Sequence, residues 1–330
     1  MSAERILAER LLGRGVDRIS LLSSGGNNRL YRIEAGASTF ALKLYEADDP
    51  SGRQRFGRET TALRFLAATS LADRVPDLIA ESEIDSAALF GWIEGVAPHE
   101  AGADEIAQML GFLTDLRDLG TSPAARDLGE AAEACLSAGE LVRQIDARRA
   151  RFDEIVHELA LDSYLGRFDR AWHRLRPALD RPADLLSSLR ILSPSDFGLH
   201  NVLRRPNGRL AFLDFEYFGW DDPVKLTADI VWHPRMVLNE DRARAVTASL
   251  IRLFGRSDVG FPDRLMAAMP AYGLRWCLIL LNEFLPERWA RRRQAQNMAP
   301  EDWAAAKRRQ LAKAEHMIAR VEACRVEIVQ

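Results

Sequence analysis

Apolar and polar residues alternate with a period of two in short runs of the first ninety positions, and with a period near 3.6 through most of the rest. Leu30 to Glu34, Thr39 to Tyr45 and Ala87 to Ile93 read as strands, punctuated by Gly, Ser, Asn and Asp as in an antiparallel sheet. One helical segment, from about Gly52 to Ala67, interrupts them. Past Glu94 the pattern turns mainly helical. Ile106, Leu110, Leu113 and Leu116 share one face, as do Leu311, Ala314, Ile318 and Val321 near the end, and Pro300 before Glu301 is a helix-start signal. Leu203 to Arg205 and Leu210 to Phe215 flank the turn signal Pro206-Asn207-Gly208, which predicts a hairpin within the helical half. The expected fold class is α+β with two lobes. Residues 1–93 form a small antiparallel β lobe with one helix, and a hinge lies near 90–95. Residues 94–330 form a large, mainly helical lobe with an inserted β-hairpin. A cleft between lobes is a common place for a ligand.

Composition narrows the function classes. Lys and Arg number 45 against 48 Asp and Glu, for a net charge of −3. This balance predicts neither a nucleic-acid nor a membrane-surface partner, and the Arg-rich stretch from Arg288 to Arg293 reads as a solvated face. Cys135, Cys277 and Cys324 lie far apart, with no paired metal spacing, which fits a reducing cytoplasm and makes Cys277 a core thiol. Met1 to Arg10 lacks the apolar stretch of a signal peptide, and the apolar run Trp276 to Leu281 is too short to cross a bilayer. The expectation is a cytoplasmic protein, monomeric or homodimeric.

Three features of the small lobe carry chemistry. Ser23-Ser24-Gly25-Gly26-Asn27-Asn28 lies between extended segments, where paired glycines let backbone amides approach a phosphate. An ordinary hairpin turn accounts for the same residues. Lys43 shares a strand face with Ala41 and Tyr45, opposite Phe40, Leu42 and Leu44. Glu59 falls on the helix stripe of Phe56, Leu63 and Leu66, and a carboxylate on a buried stripe needs a cationic partner. Lys43 is the natural candidate. Such a pair beside a Gly-rich loop points an ammonium at nucleotide phosphates, and a structural ion pair remains the alternative.

In the large lobe, Asp196 is followed five residues later by Asn201, then by a hairpin, then by Leu213-Asp214-Phe215-Glu216. Phosphoryl transfer requires a carboxylate for the acceptor hydroxyl, oxygen ligands for Mg²⁺ and a cation on the phosphates. Asp196, the pair Asn201 and Asp214, and Lys43 are the respective candidates. Singly, each has a structural explanation as a cap, a turn residue or a strand end. Their order and spacing match the Asp-x-x-x-x-Asn interval and hairpin-borne Asp-Phe of kinases.

The chain resembles the phosphotransferase enzyme family that includes aminoglycoside phosphotransferases and choline kinases. The family signature reads roughly His-Gly-Asp-Leu-His-x-x-Asn, then Ile-Asp-Phe-Glu, then Gly-Asp-Pro and Asp-Leu. Here the matching residues are Pro194-Ser195-Asp196-Phe197-Gly198-Leu199-His200-Asn201, Leu213-Asp214-Phe215-Glu216, Asp221-Asp222-Pro223 and Asp229-Ile230. The resemblance implies a protein-kinase-like fold and a kinase using ATP and Mg²⁺. By it, Asp196 is the catalytic aspartate, Asn201 and Asp214 are the Mg²⁺ ligands, and Lys43 and Glu59 anchor the nucleotide. Ser24, Gly25, Gly26 and Asn27 cover the phosphates. The connector near Phe90 to Ile93, with Phe90 and Trp92, holds adenine through backbone groups. The family histidine two places before the catalytic aspartate is Pro194 here, which questions the bracing of Asp214. His200 has no catalytic role in this reading, and Asp229 holds the catalytic loop structurally.

The acceptor is expected to be a small-molecule hydroxyl: a sugar, amino sugar or amino alcohol. The resemblance places its pocket near the helices after Leu274, where Trp276, Asn282 and Glu283 are candidates and a plain core helix is the alternative. One rival is a pseudokinase that binds nucleotide as a regulatory module, suggested by Pro194 and opposed by retention of all five site residues. A protein-substrate kinase is a second rival. Asp222-Pro223 follows Asp214 too closely for a long activation segment, which favours small acceptors.

Overall fold

The computed structural model describes residues 2–24, 28–46, 50–155, 158–179, 185–290 and 302–324. It divides into two compact units. One comprises residues 1–133 and 192–220, and the other residues 134–191 and 221–330.

The first unit is built on a five-stranded antiparallel sheet of β1 (Arg18–Ser24), β2 (Asn28–Ala35), β3 (Ser38–Tyr45), β4 (Leu78–Ser82) and β5 (Ala87–Gly91), in the order β1-β2-β3-β5-β4. Lys43 stands opposite Leu30 on one side and Ala88 on the other. Strand alternation sends its neighbours Leu42 and Leu44 to the other face. There they join Leu7 and Ala8 of α1 (Ala3–Leu12), together with Ile33, Ala87 and Leu89, in an apolar cluster. The Lys43 and Tyr45 face meets α2 (Pro50–Ala67), whose stripe of Phe56, Leu63 and Leu66 is buried. β3 is therefore covered on both faces, which is why its last four residues are all buried.

The same unit contains α3 (Ala103–Leu119) and the hairpin of β6 (Val202–Arg204) and β7 (Leu210–Phe212). The hairpin is tied to the chain after β5, since Val96 and Arg204 exchange backbone hydrogen bonds of 3.0 and 2.8 Å. A side chain at Gly95 would collide with the Arg204 carbonyl, its Cβ standing 2.8 Å away, so only glycine permits this approach. Arg204 reaches Asp104 and Glu105 of α3, and the Gln108 side chain accepts from Leu210 N at 2.8 Å. Phe112 packs on Phe212 with ring centroids 4.2 Å apart. These contacts hold residues 94–133 to the hairpin, while Arg74, just before β4, donates to the Gln108 carbonyl at 2.9 Å and Lys43 of β3 bonds to Asp214 after the hairpin. The compact units cut the chain differently from a boundary at residue 93.

The second unit is helical: α4 (Ala138–Ala150), α5 (Leu159–Leu175), α6 (Pro223–Trp232), α7 (Glu240–Phe254), α8 (Phe261–Leu280) and a last helix, Asp302–Ala323. Capping fixes several starts. Ser137 Oγ accepts from Glu140 N, Asp222 Oδ1 from Val224 N ahead of Pro223, and Asn239 Oδ1 from Arg242 N. α8 is the centre, packing against α4, α5, α6, α7 and the last helix. A Cβ at Gly273 would lie 2.5 Å from Val321 and 2.9 Å from Trp232, so the glycine sets how closely α8 approaches its neighbours. Among the described residues one stretch, Phe261–Phe284, is long and apolar enough to cross a membrane. Of its most apolar window 67% is buried inside the protein, as in a core helix.

Candidate active site

Lys43 is the hub of the site in the first unit. Its Nζ donates to Glu59 Oε2 and to Asp214 Oδ1, both at 2.7 Å, and lies 3.2 Å from Glu216 Oε2. The helix stripe predicted to bury Glu59 does so, leaving it 2% exposed. Tyr45, two residues along the same strand face, donates its hydroxyl to the same Glu59 oxygen at 2.5 Å. Glu59 Oε1 accepts from Phe215 N at 3.3 Å and so also holds the Asp-Phe-Glu segment. Burial alone pulls the Lys43 ammonium toward neutrality. Asp214, then Glu59, more than offset this and hold its pKa well above the usual lysine value.

Three carboxylates surround this ammonium, and the second nearby cation, Arg55, stands only 4.0 Å from Glu216. Among the described residues negative charge is in excess. Burial raises Glu59 above the ordinary carboxyl range, opposed by Lys43. Burial, against Lys43 and with Asp214 and Glu59 adding repulsion, pushes Glu216 up to about 7. Asn28 Nδ2 donates to Glu216 Oε2, and Asn28 Oδ1 is buried without a partner.

Asp214 takes a left-handed backbone conformation, φ 63°, and Ser195, just before Asp196, takes φ 65°. For non-glycine residues such dihedrals cost about 1–3 kcal/mol each and persist where surrounding contacts enforce them. Here the contacts are visible. Leu213 N donates to the Asn201 carbonyl at 2.8 Å, Asn201 Nδ2 donates to the Asp196 carbonyl at 3.0 Å, and Ser195 N donates to Ser193 Oγ at 3.0 Å. Beneath them Phe197 stacks on Phe212 at 5.4 Å, and Phe112 and Phe215 complete the cluster. The Asp214 segment is thus braced by Asn201, Glu59 and aromatic packing, with Pro194 at the family's histidine position.

The fit to a metal-bound triphosphate is chemical. Asp214 keeps a side chain 34% exposed within a carboxylate cluster short of positive charge. Asn201, held by its amide nitrogen, has an oxygen as its remaining donor, and its carbonyl touches the residue before Asp214. Hard oxygen donors and surplus negative charge suit a divalent cation such as Mg²⁺. Asp196 is 35% exposed at its side chain, and its Oδ2 lies 3.2 Å from His200 Nε2. His200 and Glu216 are contacts the sequence reading assigned no role. The only signal for His200 is its four-residue interval from Asp196.

The remaining candidates fall elsewhere. Phe90 is buried in β5 opposite Ala41, and Trp92 donates to Glu94 Oε1 at 2.8 Å while Arg32 stacks over its ring. Ser24 ends β1, whereas Gly25, Gly26 and Asn27 lie outside the described residues, as does Pro300. In the second unit Trp276 donates to Asp229 Oδ1 at 2.8 Å and packs edge-on to His233, and Lys225 and Arg275 are the other charged partners of Asp229. Asn282 and Glu283 sit half-buried in the turn after α8, where the Glu283 carbonyl accepts from Trp303.

The chain is similar in structure to the spectinomycin phosphotransferase APH(9)-Ia in complex with ADP and spectinomycin. Sequence identity is 11% and the TM-score is 0.62, covering 95% of this chain and 97% of that one. A thermostable mutant of the aminoglycoside phosphotransferase APH(4)-Ia, bound to ADP and hygromycin B, gives 17% identity, coverage of 98% and 100%, and a TM-score of 0.61. Choline kinase LicA from Streptococcus pneumoniae gives 14%, 96% and 98%, and 0.60. At these identities the likeness shows the fold, and it is the α+β kinase-like fold expected from the sequence. No curated protein matches the sequence. The model of the phosphotransferase enzyme family matches residues 18–259, from the first strand to beyond α7. With the Lys43–Glu59–Asp214 cluster inside that span, the chain belongs to the phosphotransferase enzyme family.

Proposed function

We propose that this protein is a small-molecule kinase that moves the γ-phosphoryl of ATP to a hydroxyl of a sugar, amino sugar or amino alcohol. The observation that carries the reading is Lys43 Nζ held 2.7 Å from both Glu59 and Asp214, on a segment whose preceding residue is bonded to Asn201. Solved proteins of this fold bound to ADP with spectinomycin or with hygromycin B, and a choline kinase, support the nucleotide and the acceptor class.

In this reading Lys43, oriented by Glu59 and Glu216, screens the α- and β-phosphates. Adenine lies against the backbone near Phe90 to Ile93, with Trp92 beside it. Asn201 and Asp214 hold Mg²⁺, which when bound neutralises charge on the phosphate oxygens. Asp196 accepts a hydrogen bond from the acceptor hydroxyl, aligns its oxygen with phosphorus and takes its proton late. Little base strength is needed because bond formation lags in a loose transition state. His200, at 3.2 Å from Asp196, limits the rotamers of that carboxylate.

The test is ADP release with a panel of sugars, amino sugars and amino alcohols, beside thermal shifts with ATP and Mg²⁺. Turnover on at least one hydroxyl, lost in Asp196→Asn while the ATP-dependent shift remains, is the expected result. A shift without turnover on any acceptor would make the protein a nucleotide-binding module, and no shift at all would overturn the reading.

A further inference from the structure

Every N–H bond of Lys43 is already matched to a carboxylate. An ammonium has three N–H donors. Oxygens of Glu59 and Asp214 stand 2.7 Å from its Nζ, and one of Glu216 stands at 3.2 Å. A phosphate oxygen therefore reaches this ammonium only if one carboxylate is given up.

The three carboxylates are held unequally. Asp214 has a side chain 34% exposed, and Lys43 is its only side-chain partner among the described residues. Glu59 and Glu216 are 3% and 5% exposed at their side chains, and each has a second donor. Tyr45 donates its hydroxyl to Glu59 Oε2 at 2.5 Å, and Asn28 Nδ2 donates to Glu216 Oε2. The two donors are neighbours. Asn28 stands opposite Tyr45 across β2 and β3, just as Leu30 stands opposite Lys43, so alternation puts both on the Lys43 face.

The Tyr45 ring is itself fixed, edge-on to Phe56 of α2 with centroids 5.6 Å apart. Burial, with the Glu59 charge, holds its phenol well above the usual tyrosine pKa, so the hydroxyl stays protonated and donates. Moving a buried carboxylate away from its donors is costly, whereas an exposed one can turn to water or to a cation. Asp214 is thus the partner that Lys43 can release.

We propose that Tyr45 and Asn28 are positioning residues for Lys43: they hold Glu59 and Glu216 in place while Asp214 alone is exchanged for a phosphate oxygen. The proposal rests on the kinase reading above. In the exchange Asp214 turns from Lys43 toward the divalent cation, and the N–H it leaves passes to the phosphate. No covalent bond changes. Nucleotide alone must compete with Asp214 for Lys43, so cation and nucleotide strengthen each other's binding by the same factor. Without the Tyr45 or Asn28 hydrogen bond, a glutamate is free to follow Lys43, and the ammonium loses its aim.

The experiment measures ADP binding to the full chain by isothermal titration calorimetry, with Mg²⁺ and with EDTA. The unmodified chain binds ADP with Mg²⁺, and binds it about ten-fold or more weakly in EDTA. Asp214→Asn releases Lys43 and binds ADP in EDTA about three- to ten-fold more tightly than the unmodified chain does. Asp196→Asn also removes a carboxylate, one outside the Lys43 contacts, and changes that affinity less than about two-fold. Tyr45→Phe and Asn28→Ala each weaken ADP binding in Mg²⁺ about ten-fold, and raise KM for ATP while KM for the acceptor is unchanged.

If the unmodified chain binds no ADP under either condition, the kinase reading falls and this proposal with it. If ADP binds with Mg²⁺ but Asp214→Asn gains nothing in EDTA, or Asp196→Asn gains as much, the exchange is overturned and the kinase reading stands. Unchanged ADP affinity in a folded Tyr45→Phe or Asn28→Ala chain overturns the positioning roles. Should those variants fail to fold, the Cζ resonance of Tyr45 in the unmodified chain decides. It stays fixed on addition of Mg²⁺ and ADP if the hydroxyl keeps Glu59, and a shift overturns the proposal.

Discussion

Two lysines of this chain are almost wholly buried, and their surroundings differ in a way that separates the proposed active site from a structural cluster. Lys225 in α6 lies 3.1 Å from Asp221 and 3.1 Å from Asp229, one helical turn before and after it. Arg275 adds a second cation 3.5 Å from Asp229, the Cys135 and Asp222 amides bond to Asp221, and Trp276 bonds to Asp229. Charges there balance, and both carboxylates are nearly inaccessible, at 0% and 8% side-chain exposure. Around Lys43 three carboxylates face one ammonium and one distant guanidinium, and Asp214 is open to solvent. A closed cluster whose charges balance has no net charge to attract a further ion. The open, negatively charged one can accept a further cation, and with it an anionic substrate. Burial of an ion pair is therefore poor evidence for a site, whereas charge imbalance with one exposed member is good evidence.

The largest test of this contrast is Asp196→Asn, for which turnover should fall about 10²- to 10⁴-fold with ATP-dependent stabilisation kept. Steady-state kinetics and thermal shift on the same preparation check it, and near-native turnover would remove Asp196 from its role. Next comes the pair of lysine replacements. Lys43→Met should lower kcat/KM for ATP by about 10²- to 10³-fold. Lys225→Met should leave turnover per folded molecule unchanged but cost about 3–5 kcal/mol of stability in urea unfolding, because it strands buried carboxylates. Swapped phenotypes would break the comparison.

The pH dependence sharpens it further. Glu216 has a folded pKa of about 7 against 4.5 for an ordinary glutamate. It binds its proton more tightly when folded, so its contribution to stability is full below pH 4.5 and is lost as pH rises through 7. Relative to Glu216→Gln, the unmodified chain should lose up to about 3 kcal/mol across that window, measured by urea midpoints without nucleotide. A flat difference would show that burial, with the neighbouring carboxylates, does not raise the Glu216 pKa. The smallest effect belongs to the balanced cluster. Trp276→Phe removes one hydrogen bond to Asp229 and should cost about 1 kcal/mol, read from the same unfolding curves.

Much of this was readable before any coordinates. Alternation in β3 placed Lys43 on the face of Tyr45, and the helical stripe of Phe56, Leu63 and Leu66 placed Glu59 against a buried surface that demanded a cation. The hairpin after Asn201 and the helices of residues 103–119 and 302–323 follow from periodicity. β1 and β4 escaped because their exposed apolar residues, Leu21, Leu22 and Ile79, blur the alternation.

What the sequence determined was local: which residues lie on which face, and which charges need partners, because backbone geometry fixes periods of two and 3.6 irrespective of distant context. Only the tertiary structure decided that Glu216 and Asn28, 188 residues apart, share a hydrogen bond, or that residues 94–133 pack with the hairpin through Arg204 and Phe112. Only it decided that the Lys225 cluster closes while the Lys43 cluster stays open. Those outcomes depend on how separate elements exclude water from one another, and no local pattern encodes that.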